Sequence, residues 1–223
     1  MKKVYYITEM TTKQQQDEIL LPLLETKILK DEALEDKLKK CDSLIFTSKN
    51  AILALESLNQ QWHNLPCYVL GKGSNRALKN LGIEAFYVGS EAYGENFAKA
   101  ICAKLHNKNP LFIRGERVAS SLSVILKNEG VNVTESIVYQ TRILKLTQSQ
   151  KAHLQPLPQS VIFFSAPSRI EAFLENFKWQ EGNLALCIGK TTAKKLQEVM
   201  PNLKPIIAPT TNIKECLAFA KTL

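Results

Sequence analysis

Small hydroxyl residues, glycine and lysine cluster at four places in this 223-residue sequence. They are Thr47-Ser48-Lys49-Asn50, Gly71-Lys72-Gly73-Ser74, Ser165-Ala166-Pro167-Ser168 and Gly189-Lys190-Thr191-Thr192. Each follows a short apolar run and precedes an amphipathic stretch, which is the place of a strand-to-helix loop. A helix start presents unpaired backbone N–H groups with partial positive charge, and a hydroxyl adds one more donor, so such loops bind anions. Plain N-capping explains the same residues in any one loop. Four matched loops together favour a shared anion-binding cleft. Arg114-Gly115-Glu116-Arg117 follows the apolar run Leu111 to Ile113 and belongs at the same sheet edge, although a surface pair explains its two arginines equally well. Tyr139 ends another apolar run, where a tyrosine commonly packs in a core or at an interface.

Other chemistries find little support. His63, His106 and His153 stand in polar stretches, none of them within HExxH, and no GxSxG elbow occurs. Gly71-Lys72-Gly73-Ser74-Asn75-Arg76 opens like a dinucleotide fingerprint but carries arginine in place of the third glycine. Gly189-Lys190-Thr191 resembles the end of a Walker A motif whose first glycine would fall at Leu184. Cys41, Cys67, Cys102, Cys187 and Cys216 form no CxxC pair, so they read as small core residues of a reducing compartment. Met1-Lys2-Lys3 leads into too few apolar residues for a signal peptide, and no apolar run approaches the ~18 residues of a membrane helix. A cytoplasmic protein is expected.

The elements that position these loops repeat. Residues 43–58 (SLIFTSKNAILALESL) look like 160–176 (SVIFFSAPSRIEAFLEN), and 67–78 (CYVLGKGSNRAL) look like 185–196 (ALCIGKTTAKKL), an offset of about 118 residues. A third unit follows in each copy, at 85–101 and 205–220. Each unit reads as strand, loop, helix. Two shorter segments differ: residues 3–30 read as strand (Val4 to Ile7), polar helix and strand (Ile19 to Leu24). Residues 110–143 read as strand (Leu111 to Ile113), helix (Val118 to Asn128) and strand (Val133 to Tyr139). A short unit plus a triple unit makes a five-stranded parallel α/β domain of flavodoxin-like size, so two domains are expected. A tandem split near residue 107 and a crossed arrangement both fit. In the crossed form, 1–26 and 146–223 make one domain, 34–140 the other, and 27–33 with 141–145 the linker strands.

The composition suits a soluble globular protein, with 45% hydrophobic and 22% charged residues. Lys and Arg number 29 against 21 Asp and Glu, a formal charge of +8 that favours anionic partners. Residues 31–146 carry 15 basic and 12 acidic groups and the remainder 14 and 9, so neither half is a dense nucleic-acid patch. Only five of the bases are arginine.

The ordered motifs resemble the uroporphyrinogen-III synthase family over essentially the full length. The similar stretches are Ile45-Phe46-Thr47-Ser48 with Asn50-Ala51, Val69-Leu70-Gly71 with Ala77-Leu78, Phe112-Ile113-Arg114-Gly115, Val138-Tyr139-Gln140-Thr141, Phe163-Phe164-Ser165-Ala166-Pro167-Ser168, and Ile188-Gly189 with Thr191-Thr192-Ala193. No single stretch is specific; their order and spacing together are. The resemblance implies the crossed arrangement: two flavodoxin-like domains with parallel sheets, a two-stranded antiparallel linker and an active site in the interdomain cleft.

It further implies a cofactor-free, metal-free hydro-lyase of haem biosynthesis. Its substrate, hydroxymethylbilane, is a linear tetrapyrrole with eight carboxylates, which the enzyme closes to uroporphyrinogen III with loss of water and inversion of ring D through a spiro intermediate. Tyr139 matches the family's tyrosine and becomes the candidate catalytic donor to the leaving hydroxyl. The candidate substrate-binding residues are Thr47, Ser48, Lys49, Asn50, Gly71, Ser74, Arg114, Gly115, Ser165, Ser168, Gly189, Thr191 and Thr192. A monomer is expected, with no nucleic-acid or membrane partner and at most transient contact with the preceding pathway enzyme. The sequence departs from the family at Thr8-Glu9-Met10, where Arg-Pro is common, and at Ser74, where threonine is usual. Substrate contacts from residues 8–12 are therefore open. The competing class is a non-enzymatic two-domain regulator that binds a small anion; a nucleotide-dependent transferase is disfavoured by the failed phosphate-loop spacings.

Overall fold

The computed structural model describes residues 2–9, 18–89, 94–117 and 121–223. In chain order they form β1 (Val4–Glu9), β2 (Ile19–Ile28), α1 (Leu34–Lys40), β3 (Ser43–Phe46), α2 (Lys49–Leu58), β4 (Cys67–Leu70), α3 (Gly71–Asn80), β5 (Tyr87–Gly89) and α4 (Gly94–Leu105). These are followed by β6 (Pro110–Gly115), α5 (Leu122–Asn128), β7 (Thr134–Ile143), α6 (Gln148–Leu154), β8 (Val161–Phe164), α7 (Pro167–Asn176), β9 (Leu184–Cys187), α8 (Lys190–Val199), β10 (Ile206–Ile207) and α9 (Ile213–Ala220). The result is a mixed α/β fold of mostly parallel strands with nine helices among the described residues. The polar helix expected after Ile7 falls largely on residues 10–17, and the start of the helix expected from Val118 on 118–120, outside the described residues.

The chain divides into two compact units, one of Met1–Glu25 with Arg142–Leu223 and the other of Thr26–Thr141. In the first, the strand order is β10-β9-β8-β1-β2, which in the unit's own chain order is 2-1-3-4-5, the flavodoxin-type order. In the second it is β7-β6-β3-β4-β5. Counting β6 and β7 first gives the same 2-1-3-4-5, so the second unit is a circular permutation of the first. The repeat survives in three dimensions. β3 and β8 begin 118 residues apart, as do α2 and α7.

The inner strands of both units, β3, β4, β6, β8 and β9, are buried on two faces, and this is why their sequences are continuously apolar rather than alternating. In the second unit, Leu44 and Phe46 of β3 join Leu111 and Ile113 of β6 under α2 and α3. Ile45 and Phe112, one step along, face Phe97, Ile101, Leu122 and Leu126 of α4 and α5. In the first unit, Ile162 and Phe164 pack with Phe173 and Leu196, while Val161 and Phe163 pack with Cys216 and Leu217. Helices and strands in this arrangement leave the strand ends as the only places where polar loops can gather.

Two strands extend beyond their apolar cores. The apolar runs end near Leu24 and Tyr139, yet β2 and β7 continue to Ile28 and Ile143. They are neighbours in both units: Leu29 N–H donates to Val138 O in the second unit, and Leu144 N–H donates to Leu23 O in the first, each at 2.9 Å. The residue numbers rise in one strand as they fall in the other, an antiparallel pairing. Ladder hydrogen bonds, not burial, therefore hold these polar ends extended. Asp31 anchors the segment after β2, accepting from Ala33 N (3.0 Å), Lys37 Nζ (2.6 Å) and Ser136 Oγ (2.6 Å). In the first unit Asn176, buried at the end of α7, does the same for the segment after β7. Its amide accepts from Leu146 N (2.8 Å) and donates to Leu144 O (2.8 Å) and Ala172 O (2.9 Å).

Removing that amide strands a part-buried donor and acceptor on residues 144–146 and the buried Ala172 carbonyl. Asn176→Ala is therefore expected to lower the unfolding free energy by about 2–3 kcal/mol, read as a shift of the urea midpoint. A change within about 0.5 kcal/mol, the usual range for surface substitutions, removes Asn176 as the anchor.

Candidate functional site

Within each unit the parallel strands bring their loops to one sheet end. Thr47 and Ser48 follow β3 in the second unit, close to the Leu70–Gly71 junction of β4 and α3. Ser165 and Ala166 follow β8 in the first unit, beside Ile188 and Gly189 after β9. Capping differs from loop to loop. Ser48 is a true N-cap: its backbone is extended and its Oγ accepts from Asn50 N at 3.1 Å. Asn50 Nδ2 in turn donates to Thr26 Oγ1 at 3.2 Å, tying the start of α2 to β2.

The other three helices lack a side-chain cap. Their N-cap residues are Leu70, Ala166 and Gly189, and no side-chain hydrogen bond closes any of them. Capping thus accounts for one loop of four. Gly71 adopts φ +79°, a left-handed conformation that costs other residues about 1 kcal/mol or more. Pro167 opens α7, where its fixed φ and missing N–H suit the first turn.

The hydroxyls divide by exposure. Ser168, Thr191 and Lys49 are exposed, and Thr47, Ser48, Asn50 and Ser165 are half-buried. Ser74 and Thr192 are each only 3% exposed and sit within the first turn of their helices rather than ahead of it. Their spacing carried that signal: Ser74 shares a helix face with Ala77 and Leu78, and Thr192 with Leu196, all buried.

At the end of β6 the structure gives Arg114 an internal job. Nε donates to Glu135 Oε2 at 2.5 Å, and Nη1 donates to the carbonyls of Gly115 (3.0 Å) and Glu116 (3.2 Å). Burial pushes the Glu135 carboxyl upward, but hydrogen bonds from Ser123 and Arg114 and the charges of Arg114 and Lys127 outweigh it, holding the carboxyl below its ordinary value. Gly115 lies directly against Tyr139. A Cβ at position 115 would stand 2.8 Å from Cζ and 3.1 Å from Oη of that ring. Tyr139 itself is half-buried against the α2–α3 side of the core, and its carbonyl accepts from Glu116 N at 2.8 Å.

Two charged residues escaped the sequence reading. Glu135 sits 21 positions from Arg114 in a polar strand start, with no local pattern to join them. Arg169, third residue of α7, pairs through Nη2 with Glu9 Oε1 at 3.3 Å, both side chains being 17% exposed. Its Nε and Nη1 are buried with no hydrogen-bond partner among the described residues. Arginine directly after the Ser165–Ser168 loop was the available signal.

Elsewhere the molecule offers less. Burial pushes the Cys67 and Cys187 thiols up to about 12, so neither is a ready nucleophile. No group of three or more His, Cys, Asp or Glu among the described residues is placed to hold a metal ion. No helix among them is long and apolar enough to cross a membrane. Two surface cavities of about 570 and 560 Å³, one beside Lys151 and Lys178 and the other beside His63 and Phe86, contain none of the predicted site residues.

Known proteins share this arrangement. The family model described as uroporphyrinogen-III synthase HemD matches residues 9–218. The crystal structure of uroporphyrinogen-III synthetase from Helicobacter pylori 26695 superposes with a TM-score of 0.82 at 27% identity, covering 100% of this chain and 99% of that one. A mutant uroporphyrinogen III synthase from the extremely thermophilic bacterium Thermus thermophilus gives a TM-score of 0.56 at 17% identity, covering 92% and 88%, a likeness of fold alone. No curated protein sequence matches.

Two measurements test this geometry. Asp31 is also held below its ordinary 3.8: burial opposes, while bonds from Lys37, Ser136 and Ala33 N prevail. A carboxyl depressed in the fold stabilises above its unfolded pKa and loses that contribution as pH falls through the folded value. Asp31→Asn with Glu135→Gln should therefore be less stable than wild type at pH 7, with the difference shrinking between about pH 5 and pH 2. Urea unfolding that shows a constant difference overturns the assignment. Separately, Ser48→Ala should cost about 1 kcal/mol of stability as a lost cap, whereas Ser168→Ala should leave the unfolding midpoint in place.

Proposed function

From the premise that this chain belongs to the uroporphyrinogen-III synthase family, we propose that it catalyses the cyclising dehydration of hydroxymethylbilane to uroporphyrinogen III, the reaction of a hydro-lyase. The family match over residues 9–218 carries this reading, supported by the full-length likeness to the Helicobacter pylori structure. The chemistry asks for positioning above all. The terminal C–OH bond breaks and the oxygen leaves as water with one added proton. The azafulvene cation left behind is attacked by the substituted carbon of ring D, giving a spiro centre. That centre fragments and recloses at ring D's free position, and loss of a proton restores the pyrrole.

Eight carboxylates are the handles for this positioning. The loops of both units supply matching donors: Thr47, Ser48 and Asn50 with the backbone at Gly71 in one, Ser165, Ser168 and Thr191 with the backbone at Gly189 in the other. Uncapped helix starts at Ala166 and Gly189 support that role, since their N–H groups favour carboxylate. Lys49 supplies exposed steering charge. Buried Ser74 and Thr192 belong to the packing beneath the loops. Arg114 shapes its loop through Glu135 and two carbonyls, and Gly115 leaves room for Tyr139. Fixing the reacting carbons in this way can supply several kcal/mol of the barrier.

Tyr139 donates to the leaving hydroxyl in this reading. Phenols are weak acids, so the donor contributes part of the acceleration and positioning the rest. The deciding assay supplies freshly generated hydroxymethylbilane and measures the ratio of isomer III to isomer I, the product of spontaneous closure. Wild-type protein is expected to give isomer III. Tyr139→Phe should fold normally and lower kcat by about 10²-fold. Isomer I alone from the wild type overturns the reading, and undiminished turnover in Tyr139→Phe removes that residue from it.

A further inference from the structure

We propose that Gly115 is a positioning residue for Tyr139: the side chain it lacks, together with the strand irregularity beside it, fixes where the phenol stands. This rests on the catalytic reading of Tyr139 above. Along β6 and β7 the pairing runs Arg114 with Ile137 and then Gly115 with Tyr139, skipping Val138. A one-residue irregularity of this kind re-aims a side chain and breaks strict alternation. Its effect is visible in the packing. Successive strand residues normally point to opposite faces, yet Val138 and Tyr139 both pack on the α2–α3 side of the core.

Turned to that side, the ring occupies the space above Gly115. An added Cβ would meet Cζ at 2.8 Å, Cε2 at 3.0 Å and Oη at 3.1 Å, all inside the ~3.5–4.0 Å of an ordinary carbon contact. Gly115 is not among the residues with positive φ. Its backbone would therefore accept other amino acids, and the three nearest atoms that a Cβ would meet all belong to the ring. The loop around it is tied on three sides. Arg114 Nη1 holds the carbonyls of Gly115 and Glu116, Arg114 Nε holds Glu135 on β7, and Glu116 N–H holds the carbonyl of Tyr139. With these ties on the backbone of residues 114–116, a methyl group at position 115 presses on the ring.

A double-mutant cycle on the isomer III assay tests this. Gly115→Ala should lower kcat at least tenfold with KM within about twofold of wild type. Placed together with Tyr139→Phe, it should lower kcat no further than Tyr139→Phe alone, because the hydroxyl it misplaces is already gone. Multiplying effects in the double variant, or a Gly115→Ala kcat within twofold of wild type, overturns the inference. If Gly115→Ala does not fold, Arg114→Gln carries the same cycle by loosening the loop: loss of kcat that disappears with Tyr139→Phe supports positioning, and a rise in KM alone overturns it. Wild-type turnover in Tyr139→Phe would remove the catalytic reading itself. An impaired Tyr139→Phe with multiplying effects removes only the role of Gly115.

Discussion

Parallel strands buried on both faces constrain everything else in this protein. A strand such as Leu44–Ile45–Phe46 has no solvent face on which to carry a functional side chain, since all three residues are fully buried. A parallel connection must also return over the sheet, usually through a helix. The polar residues of every unit are thereby pushed to the strand ends, where loop, helix start and backbone N–H groups converge. Thr47, Ser48, Ser165, Ser168 and Thr191 gather there because the fold offers few other places for them.

The repeat was legible because each strand–loop–helix unit is local. A four-residue apolar run, a small turn and an amphipathic stretch are all written within about 16 residues, and the 118-residue offset persists between β3 and β8. Features that depend on partners far along the chain were not legible. The ends of β2 and β7 are polar and lack apolar alternation, so they read as stopping points; pairing with each other keeps them extended. Helices α1 and α6 bury one residue and none, respectively, which left no stripe for the sequence to announce. Glu135 and Glu9 meet their arginine partners only through the fold. Ser74 and Thr192 were different. Their helical spacing to Ala77, Leu78 and Leu196 was readable, and the structure buries them with those residues.

Circular permutation gives the two units one strand order from two chain orders. The first unit opens with β1 and β2, leaves the triple β8, β9, β10 for the end of the chain, and is closed by them. The second builds its triple first and takes β6 and β7 last. A chain organised as short, triple, short, triple can therefore satisfy both units with only two crossings, at Glu25–Thr26 and Thr141–Arg142. Polar side chains fasten each crossing segment within its own unit, Asp31 and Asn50 in one and Asn176 in the other. A parallel sheet tolerates the loss of apolar patterning at these places only because such groups replace it.

The same economy governs charge. Net charge is +8, yet the two half-buried arginines near the strand ends, Arg114 and Arg169, are each matched to a glutamate of their own unit. A guanidinium held by Glu135 and two carbonyls keeps one geometry, which suits a residue that shapes a loop. Arg169 is held through Nη2, and its buried Nε and Nη1 have no hydrogen-bond partner among the described residues. Exposed lysines such as Lys49 and Lys190 are flexible, strongly hydrated point charges. Such a charge attracts an anion without fixing its orientation. In the proposed reading, attraction falls to lysine and geometry to arginine, glycine and the backbone. A reaction whose outcome depends on which carbon of ring D attacks needs that second group more than the first.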